Sequence, residues 1–366
     1  FQAEDGIRDV ERSRGLGDVY KRQYLVSRGK RLGVPIKVAR NNAEPSPSVY
    51  GHISIIGRAN VDLYDFAEEI PEVKVKTLEN IADYLGVMPK RERIVIDWLE
   101  MPKYWDDKSK RPIFLKYSMQ DAESTYGLAE KFIPFAIQLS NITGIPLDHV
   151  GAASVGFRVE WFLIRQAFME NELIPNRIER PYTPYRGALV LKPIEGLHEN
   201  VAVIDFSAMY PSLMIKYNIS PDTYVPPEER IPPDECYVAP EVGHRFLKKP
   251  PGMYKAVLSS LLEARDSIRK RLKKVPADSP EYRVLDARQR VVKVLANATY
   301  GYAGWVGARW FVKPVAEAVA AWGRYVISET IKIAESLGLQ VIYGDTDSVF
   351  LENPPVSYTH LTLPTN

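Results

Sequence analysis

The order of apolar and polar residues predicts a chain that mixes helices with strands. In the first part, HISIIGRANVDLYDF alternates as strands do, TLENIADYLGV is an amphipathic helix begun by Thr77, and SMQDAESTYGLAEKFIPFAIQLS is a long helical stretch. The two patterns alternate in this way from Tyr24 to about Val150. They predict an α/β (α+β) fold for this part of the chain.

The second part begins with a helix, EWFLIRQAFMEN, and a connection rich in proline and arginine, IPNRIERPYTPYRGALVLKPIEG. VAVIDFSAMYPSLMIKYN then predicts a buried strand, a turn and a short helix, and the prolines between Tyr224 and Pro251 predict a loop. Two helical stretches, MYKAVLSSLLEARDSIRKRLKKV and PEYRVLDARQRVVKVLANATYGY, predict an antiparallel helical hairpin. A third helix stops at Gly338, and QVIYGDTDSVFLE predicts a β-hairpin with GDTD at its tip.

Composition excludes several classes of protein. The chain has 366 residues, of which 45% are hydrophobic and 26% charged, so it is globular and long enough for two or three cores. The single cysteine, Cys236, excludes an internal disulfide and favours a reducing compartment. Apolar runs stay well below the ~20 residues of a membrane helix. We therefore predict a cytoplasmic protein with no membrane partner.

Positive charge is concentrated in one segment, although the net charge of the chain is only +2. Residues 253–313 contain thirteen Lys or Arg and five Asp or Glu. Such a run is typical of a solvated helix face, and it also suits a polyanionic partner. The two ends of the chain, residues 1–23 and 356–366, resemble translated adaptor sequence, and we predict both to be non-native tails.

Three aspartates follow apolar strands and are candidates for a metal site. Asp345 and Asp347 lie two apart in VIYGDTDSVF, so their side chains can point to the same side, where a cation would offset their repulsion. Asp205 ends the apolar stretch VAVID in the same way. Three carboxylates suit two Mg²⁺ ions and phosphoryl or nucleotidyl transfer. The alternatives are a turn that favours Asp for backbone reasons and a calcium loop, whose glycine and distal glutamate are lacking here.

Three stretches, DFSAMYPS, KVLANATYG and YGDTDS, resemble in order the polymerase motifs of the family B, replicative-type, DNA-dependent DNA polymerases. The resemblance runs from about Tyr24 to Pro354 and is closest to archaeal members. It implies a partial RNase H-like 3'-5' exonuclease domain followed by a polymerase palm with an antiparallel helical fingers hairpin, the thumb being absent. It also implies that Asp205, Asp345, Asp347 and the carbonyl of Phe206 bind two Mg²⁺ ions.

This resemblance sets the domain boundaries that we predict. They are 24–132 for the partial exonuclease domain, 133–184 for a connecting helical segment, 185–254 for the first part of the palm, 255–305 for the fingers and 306–355 for the second part of the palm.

The helical hairpin contains the residues expected to bind the nucleotide. Lys293, Asn297, Tyr300 and Gly301 share one face of the second helix, and Arg265, Arg269 and Lys273 form a similar stripe on the first. The resemblance assigns the triphosphate to Lys293, which is also a catalytic residue, and to Arg265, with Arg288 nearby. It sets Asn297 and Tyr300 beside the nascent base pair. A solvated lysine and a packed aromatic ring are the alternatives for Lys293 and Tyr300.

Further residues follow from the same resemblance. Tyr210 is the expected sugar gate, whose ring would clash with a 2'-hydroxyl, or else a tyrosine packed under the palm. Tyr185, Arg186 and Gly187 resemble a motif that contacts template phosphates.

Tyr117 and Asp121, one helical turn apart, resemble the third proofreading motif. The companion acids are not found in this chain, so we predict that it has no exonuclease activity.

The function predicted is template-directed transfer of a nucleotide from a dNTP to a primer 3'-OH, with proofreading in the native protein. Its partners would be primer-template DNA, dNTPs and a sliding clamp that binds other regions, in the cytoplasm at the nucleoid. A reverse transcriptase or RNA polymerase usually has adjacent acids, whereas Thr346 separates them here. A catalytically inactive DNA-binding paralogue is the alternative from another class. A generic nucleotide-binding protein is weaker still, because neither glycine-rich phosphate loop occurs.

Overall fold

The computed structural model describes residues 19–47 and 53–352. The chain forms two compact units, one of residues up to Phe162 together with Arg271–Val291, and the other of Leu163–Lys270 with the residues from Val292 onward. In the described ranges no helix is both long and apolar enough to cross a membrane. Both predicted tails fall largely outside the described residues, and the first helix begins at Val19, within the predicted N-terminal tail.

The helices and strands are numbered in chain order. The helices are α1 Val19–Leu32, α2 Tyr64–Ala67, α3 Leu78–Tyr84, α4 Met101–Asp106, α5 Arg111–Thr143, α6 Val155–Met169, α7 Met209–Lys216, α8 Met253–Leu272, α9 Pro280–Ala303 and α10 Lys313–Ser336. The strands are β1 Ser46–Pro47, β2 Ile53–Ser54, β3 Val201–Asp205, β4 Tyr224–Val225, β5 Cys236–Val238, β6 Arg245–Leu247, β7 Gln340–Asp345 and β8 Ser348–Glu352.

The first unit is built on the packing of α3 against α5. Helix α3 begins where predicted, since the Thr77 hydroxyl accepts the backbone N–H of Asn80 at 3.3 Å and caps the first turn. Its apolar face joins α5 in a core of buried side chains. These are Leu63, Ala67, Leu78, Ile81, Ala82 and Leu128.

The strand prediction for HISIIGRANVDLYDF is wrong for most of the stretch. In the described part, only Ile53–Ser54 is a strand, and Tyr64–Ala67 is a helix. The Asp62 carboxylate accepts the backbone N–H of Tyr64 at 2.9 Å, which favours the start of a helix over an extended chain. Helix α5 confirms the long helical stretch and continues past the predicted domain boundary at residue 132.

The second unit is organised around a three-stranded antiparallel sheet in the order β3-β8-β7. Helices α7 and α10 pack on this sheet, and their buried side chains meet those of β8. Met209, Leu213, Ile327 and Val349 belong to that core. The strand, short helix and terminal hairpin read from the sequence are confirmed.

Two details of the sequence interpretation are wrong here. Strand β3 is not buried, because it forms one edge of this sheet in the described chain, and Val203 is 55% exposed. The proline-rich stretch is not only loop, since β4, β6 and β5 form a second small antiparallel sheet within it. Prolines fit here because these strands are only two or three residues long.

Helices α8 and α9 confirm the predicted hairpin. The Arg271 guanidinium forms an ion pair of 2.5 Å with Glu281 where the first helix ends and the second begins. At the opposite ends of the helices, Tyr302 lies near Tyr254. Burial is the main cause of the raised pKa of the Tyr254 phenol, and the neighbouring Tyr302 adds to it. Contacts at both ends require the helices to run antiparallel.

Candidate active site

Strand register brings the three predicted aspartates to one end of the sheet. Asp205 on β3 and Asp345 on β7 both pair with Ser348, the first residue of the central strand β8. Because neighbouring strands lie about 4.8 Å apart, the Cα atoms of the two aspartates are about 10 Å apart, on either side of Ser348. Asp347 precedes Ser348 in the turn and lies between them.

The turn itself differs from the alternation that the sequence predicts. Asp347 is not part of a strand, because β7 ends at Asp345 and the chain reverses through Thr346, whose φ is +57°. The Asp347 backbone carbonyl accepts the N–H of Phe206 at 2.9 Å, which joins the turn to the end of β3. The position of Asp347 is therefore set by the turn and not by the side-chain alternation of a strand.

The three acids influence one another electrostatically. The pKa of Asp347 is raised, first by burial and then by the negative charge of Asp205, with a smaller contribution from Asp345. The Asp345 carboxylate accepts the hydroxyl of Thr346 at 2.8 Å. In the described ranges, no three carboxylate, imidazole or thiol groups form a ready-made metal site.

The donor set nonetheless fits a magnesium site. Three carboxylates supply the hard oxygen ligands that magnesium takes from proteins, and the Phe206 carbonyl follows directly after Asp205. Burial and then the charge of Asp205 raise the pKa of Asp347, and a bound cation would offset the second of these effects. The residues of the sheet edge thus suit the ions that the sequence predicts.

Two non-glycine residues with left-handed backbones flank the acids. Thr346 separates the two aspartates of the turn, and Ala208 has φ of +52° three residues after Asp205, at the start of α7. Left-handed backbone is unfavourable for a β-branched residue such as threonine, and such strain is concentrated at functional sites.

Three tyrosines meet beside the aspartates. The rings of Tyr210 and Tyr300 lie 4.2 Å apart between centroids, and the Tyr185 hydroxyl lies 3.5 Å from that of Tyr300. Burial, followed by the charge of Asp347, raises the pKa of Tyr210 to about 12. A side chain at Gly323 would come within 2.9 Å of the Tyr210 ring, so the helix α10 backbone forms the wall against which the ring packs.

Arg324 is a residue of this site that the sequence interpretation missed. Its guanidinium donates to the Glu241 carboxylate at 3.0 and 2.6 Å, to the Arg186 carbonyl at 2.9 Å and to the Gly187 carbonyl at 2.6 Å. The side chain is 3% exposed. Arg324 therefore fixes the backbone of the segment that carries Tyr185.

A signal for Arg324 was present in the sequence. It falls on the apolar face of α10, in register with Ala320, Ala321 and Ile327, all of which are fully buried. A cation on such a face requires acceptors that satisfy its donors. The acceptors could not be named, because Glu241 and the carbonyls are more than 80 residues away in the sequence.

The segment after Gly187 is held along the outer edge of β7. The Leu191 N–H donates to the Gly344 carbonyl at 2.8 Å and the Thr346 N–H to the Leu189 carbonyl at 3.1 Å. The predicted template contacts are thus joined directly to the turn that carries the aspartates.

Helix α9 exposes three of the four residues of its predicted nucleotide face, and the fourth, Tyr300, is partly buried against Tyr210. Lys293, Asn297 and Gly301 are exposed, whereas Val292, Leu295, Ala296 and Thr299 on the other side are buried. Arg265 on α8 is half-buried. Arg288 is exposed on the part of α9 that belongs to the first unit.

The exonuclease remnant has a partner that the sequence did not indicate. Arg93, whose side chain is 1% exposed, forms an ion pair with Asp121 and donates to the Ser124 hydroxyl at 2.8 Å. Tyr117 lies one turn earlier on the same helix, α5, beside Phe114. The Asp121 carboxylate is thus neutralised by a buried arginine in this structure.

Comparison with known proteins agrees with the sequence motifs. The sequence model of the family described as DNA polymerase family B matches residues 145–362. The chain is 56% identical to DNA polymerase 2 of Aeropyrum pernix over 332 residues, covering 91% of this chain and 41% of that protein. It is 44% identical to a DNA polymerase of Archaeoglobus fulgidus, with 91% of this chain and 41% of that protein covered.

A solved structure shows the same fold. The family B DNA polymerase of the hyperthermophilic archaeon Pyrobaculum calidifontis superposes with a TM-score of 0.82 and 55% identity, covering 91% of this chain and 44% of that one. The chain thus spans less than half the length of these relatives. From the family match and these identities, the chain belongs to DNA polymerase family B.

Proposed function

We propose that this chain is part of a template-directed DNA polymerase that transfers a nucleotide from a dNTP to a primer 3'-OH. The observation that carries the proposal is the register of the sheet, which sets Asp205 and Asp345 opposite Ser348 with Asp347 between them. The chain that carries this arrangement belongs to DNA polymerase family B, and relatives of the chain are named DNA polymerases.

The acids would hold two Mg²⁺ ions, with the Phe206 carbonyl as a further ligand. When bound, such ions activate an attacking oxygen and stabilise a leaving one. The chain's own side chains bind and orient the substrate. The exposed charge of Lys293, with Arg265 and Arg288, would attract the triphosphate, and Asn297 would lie beside the new base pair.

The tyrosine cluster would select the sugar. The Tyr210 ring is confined by Tyr300 on one side and by the backbone at Gly323 on another, so it cannot easily move away from a bulky group. A 2'-hydroxyl at this ring would be excluded, which favours deoxynucleotides. The segment Tyr185–Gly187, held by Arg324, would contact the template backbone.

The domain assignment belongs to the same proposal. The sheet β3-β8-β7 with α7 and α10 corresponds to a palm and the hairpin α8–α9 to fingers. Residues 24–132 of the first unit correspond to a partial exonuclease domain, and residues 133–184 to a connecting segment. We expect primer-template DNA and dNTPs as partners, and a sliding clamp and a place at the nucleoid for the whole protein. The ion pair of Asp121 with Arg93 supports the expectation that this chain does not proofread.

Primer extension tests the proposal and separates it from an inactive DNA-binding paralogue. Residues 24–352 would replace the matching segment of the Aeropyrum pernix polymerase, and extension with Mg²⁺ and dNTPs would be compared with that of the Asp345→Asn variant. The proposal that the chain is a polymerase is supported if the chimaera extends the primer and the Asp345→Asn variant does not, while both bind primer-template equally. Binding without extension by the unmodified chimaera would establish the paralogue instead.

A further inference from the structure

The first unit contains a basic pocket that none of the polymerase motifs uses. It has a volume of about 660 Å³ and lies between the segment 37–42 and the turn 55–58. Its lining residues are Lys37, Val38, Ala39, Arg40, Asn42 and Arg58. Three of the six are cations and none is an acid.

Hydrogen bonds between the two segments shape the pocket. The Arg40 N–H donates to the Ile56 carbonyl at 3.0 Å, and the Arg58 Nε–H donates to the Val38 carbonyl at 2.8 Å. The second bond fixes the plane of the Arg58 guanidinium through its inner nitrogen. The two outer nitrogens of Arg58 keep their donors for a ligand.

Close packing fixes the other arginine. Gly57 has φ of +77°, and a side chain there would lie 3.0 Å from Cβ and Cδ of Arg40. The stem of Arg40 therefore rests on the bare backbone of Gly57, which only glycine permits at this position. Asn42, with φ of +60°, closes the segment with its N–H on the Ala39 carbonyl at 3.0 Å and adds a side-chain amide to the lining.

The charge around the pocket is strongly one-sided. Residues 24–58 contain six Lys or Arg and a single acid, Glu44. Within residues 19–47 and 53–352, Lys37, Arg40 and Arg58 form no ion pair. An anionic ligand in this pocket would therefore meet three exposed cations and no acid in the lining.

We propose that this pocket binds phosphate groups, supplied either by the backbone of a nucleic-acid strand or by a free phosphate compound. Two guanidinium groups and an ammonium form the donor set that recognises phosphate oxygens, and the volume lies in the range of ligand sites. The inference does not depend on the proposed polymerase activity, since no residue of the pocket belongs to that site.

Lysine footprinting on the 366-residue chain tests the proposal. The rate at which an acylating reagent modifies Lys37 would be measured by mass spectrometry, alone, with a dodecamer of thymidylate and with tripolyphosphate. Exposed Lys108, in the same unit but outside the pocket, is the internal control. We expect either ligand to slow Lys37 at least about fivefold and to leave Lys108 unchanged.

The two arms distinguish the source of the phosphate. Protection at lower phosphate concentration by the oligonucleotide assigns the pocket to a nucleic-acid strand, and equal or better protection by tripolyphosphate assigns it to a free phosphate compound. Equal slowing of Lys37 and Lys108, or protection by neither ligand, would overturn the proposal.

A matched pair of variants adds a second readout. Arg40→Gln should raise the ligand concentration that half-protects Lys37 by about tenfold, because it removes charge-assisted hydrogen bonds. Arg91→Gln removes the same charge from an exposed arginine of the same unit, outside the pocket, and should leave that concentration unchanged. Equal effects of the two variants would contradict a specific site.

Discussion

At the scale of single residues, Arg324 shows how a buried charge can serve a site that it does not enter. Its donors bind Glu241 and two backbone carbonyls next to Tyr185, and the Tyr185 hydroxyl lies beside that of Tyr300. The Arg324 side chain therefore positions the segment that carries Tyr185, one member of the tyrosine cluster. It would act through these neighbours and would not touch the substrate.

Replacing Arg324 should destabilise the chain. Arg324→Ala would leave Glu241 and two carbonyls without their partner, and removing one member of a buried pair typically costs about 3–5 kcal/mol. Since Glu241 is partly exposed, we expect a loss nearer 3 kcal/mol in the free energy of unfolding, measured with urea. Arg230→Ala, which removes an exposed arginine of the same unit, is the control, and equal losses in the two variants would contradict this assignment.

The same ion pair predicts a pH dependence. Hydrogen bonds from Arg324, and then its charge, lower the pKa of Glu241 below 4.5. A lowered carboxyl pKa contributes stability that is present above the unfolded pKa and is lost as the pH falls through the folded pKa. We expect the stability difference between the wild type and Glu241→Gln to shrink below pH 4.5, measured by urea unfolding from pH 7 to pH 3.

Tyr210 allows a test of sugar selection. In the chimaera, Tyr210→Val should increase incorporation of a ribonucleotide relative to a deoxynucleotide by at least about tenfold, because the ring that would meet the 2'-hydroxyl is gone. Tyr210→Phe keeps the ring and should retain the selectivity. If both variants discriminate as the wild type does, the ring is only a packing element.

At the scale of elements, the parts that sequence predicts well are those with a strong local signal. Thr77 caps α3, the period of α5 extends over 33 residues, and the hairpin β7–β8 places its acids at the tip. The predictions that were wrong concern elements whose environment depends on residues far away in the sequence. The exposure of β3 follows from its place at the edge of the sheet, and the small sheet of β4, β5 and β6 pairs short segments across a proline-rich stretch.

The cap of α3 provides a prediction at this scale. Thr77→Ala removes the acceptor for the Asn80 N–H and should cost about 1 kcal/mol in the free energy of unfolding, whereas Thr77→Ser should cost little. Thermal unfolding followed by circular dichroism measures both. Equal losses in the two variants would show that the methyl group, and not the hydroxyl, stabilises this helix.

At the scale of the whole molecule, carboxyl groups with shifted pKa values in each unit determine how the stability of the chain depends on pH. In the first unit, burial, and then the charges of Asp62 and Glu68, raise the pKa of Asp65 to about 7. Arg158 opposes this shift and Glu69 adds to it. The acids that raise this pKa lie within four residues of Asp65 and are visible in the sequence, but its burial, the largest cause, depends on how the chain folds.

The sign of the Asp65 effect is opposite to that of Glu241. A raised carboxyl pKa means that the folded chain holds a proton that the unfolded chain releases, so stability falls as the pH rises from about 4 to about 7. Asp65→Asn should therefore stabilise the chain at pH 8 by about 1–2 kcal/mol, after allowance for partial exposure, and have little effect at pH 4. A stabilisation independent of pH, in urea unfolding, would contradict the shift.

The central claim is that Asp205, Asp345 and Asp347 form one catalytic site, and the rate of single-nucleotide incorporation tests it most directly. In the chimaera we expect Asp205→Asn and Asp347→Asn each to lower that rate by at least about a thousandfold, equivalent to about 4 kcal/mol of barrier. The matched variant Asp234→Asn, an exposed aspartate of the same unit, should stay near the wild-type rate. Rates for Asp205→Asn and Asp347→Asn that match that of Asp234→Asn would contradict the account.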